Sequence, residues 1–399
     1  MASRVTTERG GQRLRVLMLS HYFAERRGGV ELVAAALARG MASPHVFVTW
    51  LATGTPDETA EAVGYQAKTL RAWAVAERLL RIPYPLLLPP AWRAIFRAAK
   101  QNDVILAHDA LQMTSVIACC AAIAHRKPLI MVQHIHDVPY VNPVMRVLMT
   151  LANRCVAVPV LRKAWRVIFV SERTMHSFTK RIRWQRNPLV IFNGVATEVY
   201  TPALDAAEVS QSRVTLGLPT SGTIALFVGR FVEKKGLRVL QAVARDRPGV
   251  LFAFAGRGPL NPAAWNLPNV RVYSDLSGDA LAQLYRASDG LLLPSVGEGF
   301  PLVVQEALAC GLPVICGIDS AQADPEAAPY LCGVEVEPDH PVRTALRFGE
   351  QLDRVLVAAA DMRRRRADFA RSRYSWPATC DSYARVIREA ADRSLAQIA

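Results

Sequence analysis

Residues 291–316, LLLPSVGEGFPLVVQEALACGLPVIC, constrain the fold more than any other stretch. The apolar run Leu291-Leu292-Leu293 meets a breaker at Pro294, the pattern of a buried strand ending in a loop. Gly297-Glu298-Gly299 and Phe300-Pro301 follow, and then apolar residues at helical spacing from Leu302 and Val303 onward. Gly311-Leu312-Pro313 stops the helix, and Val314-Ile315-Cys316 restarts a strand. This strand–glycine loop–helix–strand unit sets backbone N–H groups at a helix N-terminus, where unpaired donors and the helix dipole attract phosphate. Glu298 and Glu306 flank the turn. A carboxylate repels phosphate but accepts hydrogen bonds from the hydroxyls of a sugar or ribose. The ligand that fits is anionic in the middle and rich in hydroxyls at both ends, as a nucleotide-sugar is.

Glu298 and Glu306 with the residues between them resemble the E-x7-E signature of retaining GT-B-fold glycosyltransferases of family 4, and the likeness runs from Tyr285 through Ile315. The resemblance implies an α/β chain of two Rossmann-like domains facing across a cleft, with a C-terminal helix crossing back to the first domain. It covers most of the sequence and is weakest over residues 51–100.

At 399 residues the chain suits two domains of roughly 150–200 residues each. The expected division is 1–205 for the acceptor, 206–375 for the nucleotide-sugar, and 376–399 for the returning helix. With 51% hydrophobic and 21% charged residues it is a globular chain, not a disordered one. Seven cysteines without metal-site spacing, and an N-terminus without signal-peptide order, lead us to expect reduced thiols and a cytoplasmic protein. We count no apolar run of the ~18–20 residues that span a bilayer, because residues 141–161 are broken by Arg146 and Arg154. Residues 1–205 hold 26 Lys+Arg against 13 Asp+Glu, a net +13; residues 206–399 hold 22 against 21, a net +1. A basic half joined to a neutral half suggests that the first domain meets an anionic surface.

Residues 14–20 read as a first buried strand. Gly28-Gly29 then opens a helix, either as a tight turn or as a close approach to a phosphate or hydroxyl. The family carries a GG-x-E element at this place, which implies a position in the cleft. Residues 71–100 interleave Trp73, Tyr84, Trp92 and Phe96 with Arg71, Arg78, Arg81, Arg93, Arg97 and Lys100. They suit an anionic membrane face or two core-packed helices with solvated basic faces. The strand at 128–133 ends in His134-Ile135-His136-Asp137, where side chains line a ligand crevice or serve as structural histidines. The family places a His, often followed by Asp, near the transferred sugar; His136 and Asp137 match it better than His134.

In the second half, a strand over 223–228 runs into Gly229-Arg230 and then Lys234-Lys235-Gly236. A guanidinium fork and an ammonium beyond a strand end suit a diphosphate, although KK alone is usually a solvated turn. GR-x4-KG resembles the family's pyrophosphate pair, which singles out Arg230 and Lys235 and leaves Lys234 facing solvent. Gly256-x-Gly258-Pro resembles the loop near the nucleotide base, with the strand ending at Tyr273 beside it. The four arginines 363–366 read as a solvated helix face.

The resemblance implies a retaining hexosyltransferase that needs no cofactor and uses a UDP- or GDP-sugar. Arg230, Lys235, Glu298 and His136 would be catalytic. Gly229, Gly256, Gly258, Gly299, Phe300, Pro301, Leu302, Val303 and Glu306 would bind the donor; Gly28, Gly29, His134 and Asp137 would face the acceptor. No Asp-x-Asp pair marks a metal clamp, so no metal is expected. The expected acceptor is a soluble or polyprenyl-diphosphate-linked glycan, as in bacterial exopolysaccharide or lipopolysaccharide assembly, met at the inner membrane face. Nucleic acid is not an expected partner, since no helix-turn-helix, zinc or RNP element accompanies the basic patches. The alternatives are a nucleotide-sugar epimerase and a catalytically silent nucleotide-sugar-binding homologue.

Overall fold

A computed structural model of the chain describes residues 13–26, 28–56, 64–73, 85–135, 143–179, 182–356 and 361–396. Apolar runs buried on both faces need a parallel sheet covered by helices, and both halves of the chain supply one. The first half forms β1 (Leu14–Tyr22), β2 (Val46–Thr53), β3 (Tyr65–Thr69), a short antiparallel pair β4 (Ala72–Trp73) and β5 (Leu86–Leu87), then β6 (Val104–His108), β7 (Leu129–Gln133), β8 (Arg166–Phe169) and β9 (Leu189–Val190). Seven of these make one parallel sheet in the order β3-β2-β1-β6-β7-β8-β9. Alternation along β1 sends Val16 and Met18 into one layer and Leu17 and Leu19 into the other. The helices Pro89–Gln101, Met113–Ala124 and Val158–Lys163 cover the second of these layers.

The second half forms β10 (Thr223–Val228), β11 (Val250–Ala255), β12 (Val270–Tyr273), β13 (Gly290–Leu293), β14 (Val314–Gly317) and β15 (Leu331–Val334). Their order is β12-β11-β10-β13-β14-β15, again parallel. Its core is built on large buried rings, among them Phe227, Phe252, Phe254, Tyr285 and Phe348. Each sheet reverses its strand order once, between β1 and β6 and between β10 and β13. Such reversals leave a crevice at the strand C-termini, where ligands of open α/β sheets bind.

The chain then returns to its first half. The Val195 N–H donates to the Tyr374 carbonyl at 2.6 Å, and the Trp376 ring fills the space that a Gly194 side chain would need. From there the helix Trp376–Ala396 lays Cys380, Tyr383, Val386, Ile387 and Ala390 into the first core, against the helix Gly29–Met41. Buried Asp324 secures the corner by accepting from the Tyr374 hydroxyl at 2.6 Å and from Arg373 at 2.9 Å.

Two expectations are corrected. Arg146 and Arg154 do not break the apolar run. Among the described residues, Val144–Lys163 is one 20-residue helix, long and apolar enough by length and composition to cross a membrane. A π-helical turn, Asn153–Ala157, lies in its middle. An arginine interrupts an apolar tally but not a helix, since its stem lies along the surface while the head stays in water. The four arginines 363–366 are not one solvated face either. Arg364 and Arg365 are exposed, whereas Arg366 is buried and Arg363 packs on Gly311. Consecutive helical positions point around the axis, so some of the four must turn inward. Of residues 71–100, the described elements are the antiparallel pair β4 and β5 and the helix Pro89–Gln101; Arg78, Arg81 and Tyr84 lie outside the described residues.

Candidate active site

At the second crevice, two loops meet. After β10 come Gly229, exposed Arg230 and a 3-10 turn, Glu233–Lys235, closed by Gly236 in the left-handed region. After β13 come Pro294 to Pro301 and then the helix Leu302–Ala309. The Val296 N–H donates to the Lys234 carbonyl at 3.0 Å, and a Cβ on Gly236 would stand 2.2 Å from the Pro294 carbonyl oxygen. This backbone stitching brings the charged side chains together. Glu298 Oε1 lies 3.2 Å from Lys235 Nζ and 3.3 Å from Lys234 Nζ. Burial opposes ionisation of Glu298, but Lys235 and then Lys234 outweigh it and bring its carboxyl down to about 2. Lys234, expected to face solvent alone, therefore shares the carboxylate while remaining 44% exposed.

The carboxyl of Glu306 is shifted in the opposite direction. It accepts from the Tyr285 hydroxyl at 2.8 Å and also from Tyr200. Burial raises it to about 7, against the pull of those two hydrogen bonds. Neither tyrosine has a local sequence signal for this role, because each reaches Glu306 only through the fold. Gly229, Gly256 and Gly258 stand where backbone packs on backbone: a Cβ on Gly256 would lie 2.0 Å from the Gly229 oxygen, and one on Gly258 2.4 Å from the Phe231 oxygen. The Phe300 ring is buried among Phe192 and Tyr374, so only its backbone is available to a ligand. Pro301 caps the helix Leu302–Ala309 without a side-chain bond, and Leu302 and Val303 form its first turn. Tyr273, at the end of β12, donates its hydroxyl to the Leu216 carbonyl at 2.9 Å.

The first crevice has different chemistry. His134, just past β7, places Nε2 2.9 Å from Nδ1 of His108, and both rings are buried. Burial lowers both, His108 to about 3, so the pair is uncharged. Asp109, at the end of β6, adopts φ +56° and accepts from the His134 N–H at 2.9 Å. Burial, helped by the charge of Glu31, raises Asp109 to about 7 against its amide hydrogen bonds. Glu31 folds back over Gly28, where an added Cβ would meet its Oε2 at 2.0 Å; Gly29 beside it faces open space. Burial raises the Glu31 carboxyl, while Arg230 across the cleft and Arg26 pull it down. A Cβ on Gly299 would sit 2.0 Å from the His134 carbonyl oxygen, so the loop after β13 closes onto the first domain at this point. His136 and Asp137 lie outside the described residues. Asp109 escaped the sequence reading, although a polar residue directly after a buried strand was the available signal.

The family model described as Glycosyltransferase Family 4 matches residues 27–199, and that described as Glycosyl transferases group 1 matches residues 209–340. The chain belongs to the group 1 glycosyltransferases of family 4. Over 221 residues it is 32% identical to the D-inositol 3-phosphate glycosyltransferase of Mycolicibacterium smegmatis, a match taking in 50% of this chain and 48% of that one. The chain thus spans about half the length of the curated relatives it matches. A crystal structure of Anabaena Alr3699/HepE in complex with UDP and glucose superposes with a TM-score of 0.69 at 17% identity, covering 94% of this chain and 100% of that one. The sucrose-phosphate synthase of Thermosynechococcus elongatus reaches 0.71 at 17% identity, covering 94% and 99%. These likenesses establish the GT-B fold for this family 4 chain.

Proposed function

We propose that this chain transfers a hexose-type sugar from a UDP- or GDP-sugar to a glycan or polyprenyl-diphosphate-linked acceptor, with retention at the anomeric carbon. The observation that carries the reading is the meeting of Lys234, Lys235 and Glu298 at the reversal between β10 and β13, beside Arg230 and a helix N-terminus. Two ammonium groups on one carboxylate form an anion site that the donor can take over. The diphosphate receives Lys235 and Arg230, and Glu298 turns its free lone pairs to hydroxyls of the transferred sugar. As the glycosidic bond breaks, negative charge grows on the leaving diphosphate, and these fixed cations stabilise it most at that moment. Glu306, held by Tyr285 and Tyr200, accepts from the ribose. The Gly299 and Phe300 amides and the first turn at Leu302 and Val303 face the donor.

Asp109 and Glu31 accept hydrogen bonds from the acceptor, with His136 and Asp137 on the same side by their match to the family motif. The attacking hydroxyl approaches from the face the diphosphate leaves, and a diphosphate oxygen takes its proton, so no separate base is assigned. The reading needs no metal, because the cations on the diphosphate are side chains. A UDP-sugar is supported by the fold neighbour solved in complex with UDP and glucose. The basic first half suits an anionic membrane face at which a lipid-linked glycan of exopolysaccharide or lipopolysaccharide assembly is met, on the cytoplasmic side.

Thermal-shift measurements with UDP- and GDP-sugars test the donor site, on the native chain and on Lys235→Ala. A selective rise that the variant loses is expected. A well-folded chain that responds to neither nucleotide would remove the donor assignment. Product analysis then separates transfer from epimerisation of the donor, and an axial or equatorial anomeric signal reads retention directly.

A further inference from the structure

The helix Pro143–Ala152 begins directly after the acceptor-side loop that follows β7. Four of its side chains, Val144, Val147, Leu148 and Leu151, recur at the spacing of one helical stripe and are 75%, 60%, 55% and 53% exposed. An isolated exposed leucine is ordinary; a contiguous apolar stripe marks an interaction surface. The charge along this stretch of the sequence is of one sign. From Val138 through Ser171 the sequence has no Asp or Glu, while Arg146, Arg154, Arg162 and Lys163 all stand exposed on this helix and its continuation. Trp73 and Trp92 are also 55% and 44% exposed, and Trp92 opens the helix Pro89–Gln101, which covers the same face of the first sheet. That helix runs into β6 at the strand's N-terminus, so its start, like that of Pro143–Ala152, lies toward the strand C-termini, where the crevice is.

We infer that this stripe is the membrane-docking face of the chain, lying in the headgroup region of an anionic bilayer with Val144, Val147, Leu148 and Leu151 inserted and the arginines on the phosphates. The inference rests on the proposed lipid-linked acceptor and names the surface that delivers it. The length of the apolar helix Val144–Lys163 would also permit a span, but its second half is committed elsewhere. Ala157, Val160 and Leu161 are buried in the layer that covers the first sheet, and a span would tear them from it. A helix with one apolar stripe, one cationic surround and one buried end lies on a membrane and does not cross it. The docked orientation turns the first crevice, with Asp109, toward the lipid headgroups. The basic load of residues 1–205 then serves the surface and not the sugar site.

The test is flotation of the full chain with vesicles of pure phosphatidylcholine or of phosphatidylcholine mixed with phosphatidylglycerol. The native chain floats with the mixed vesicles only. The double variants Val147→Glu/Leu148→Glu and Leu148→Ser/Leu151→Ser change exposed positions and lower the bound fraction about tenfold or more. Their thermal shift with the nucleotide-sugar that stabilises the native chain stays unchanged. A native chain that does not float, or variants that float as well as it does, would overturn the inference. So would a dimer on gel filtration that the variants convert to monomer without any vesicle binding, which assigns the stripe to a second copy. Loss of nucleotide response with flotation intact would fault the transfer reading alone.

Discussion

The crevice of the first sheet and that of the second arise from the same reversal of strand order, yet they carry opposite chemistry. The first holds Asp109, Glu31 and two uncharged histidines, with Arg26 beside Glu31. The second holds Lys234 and Lys235 on one carboxylate, with exposed Arg230 on the loop after β10. The totals run the other way, net +13 for residues 1–205 and net +1 for the remainder. Domain charge and site charge are therefore separate quantities. The total sets long-range attraction to a surface, whereas a site is made by the few groups a crevice gathers and partly desolvates. On the proposed reading, a cationic donor crevice opposite an acidic acceptor crevice would also separate substrates, drawing the diphosphate to one wall and acceptor hydroxyls to the other.

The comparison is broken most directly at Lys235. Lys235→Ala should lower kcat/KM by roughly 10²–10³, the usual loss for one group aimed at developing charge, and should abolish the donor thermal shift. If transfer survives within a few-fold, the second crevice is not the leaving-group wall. Asp109→Asn should act on the other substrate only. A carboxylate that accepts a hydroxyl is worth about 1.5–3 kcal/mol, so acceptor KM should rise roughly 10- to 100-fold while donor affinity holds. An equal loss in donor affinity would merge the two crevices into one site.

Within the second crevice, Glu298 and Glu306 sharpen the contrast. Tyr285→Phe removes one donor from Glu306 at about 1 kcal/mol, which should weaken nucleotide binding about fivefold and leave kcat nearly unchanged. A fall in kcat alone would place Glu306 with the chemistry and not the ribose. The smallest effect is protonic. Ribose hydroxyls favour the carboxylate of Glu306, which stands near 7, so binding at pH 7 should release about half a proton. Calorimetry in buffers of different ionisation heat reads it, and Glu306→Gln should remove it. The stability signs also oppose. Glu298 is depressed from 4.5, so its contribution is present above that value and fades as pH falls toward about 2. Glu306 is raised, so its contribution is full below about 4.5 and lost as pH rises through about 7. Tm against pH for Glu298→Gln and Glu306→Gln, each compared with the native chain, separates the two windows.

Much of this protein was legible residue by residue. The alternation of apolar runs with glycine loops and helical segments, the stop at Gly311-Leu312-Pro313 and the spacing of Glu298 and Glu306 are local patterns, and local backbone preference reports them. The sequence by itself therefore determined two parallel-sheet domains, the places of their loops and the family to which the chain belongs. It could not show that Lys234 shares Glu298 with Lys235, that Tyr200 and Tyr285 hold Glu306, or that Asp109 stands against Glu31. Those pairings join residues far apart in the chain, and their protonation follows from how much water the fold removes. Arg366 turned inward and Leu148 turned outward for the same reason. Which face of a helix is buried depends on what packs against it, and only the tertiary structure decides that.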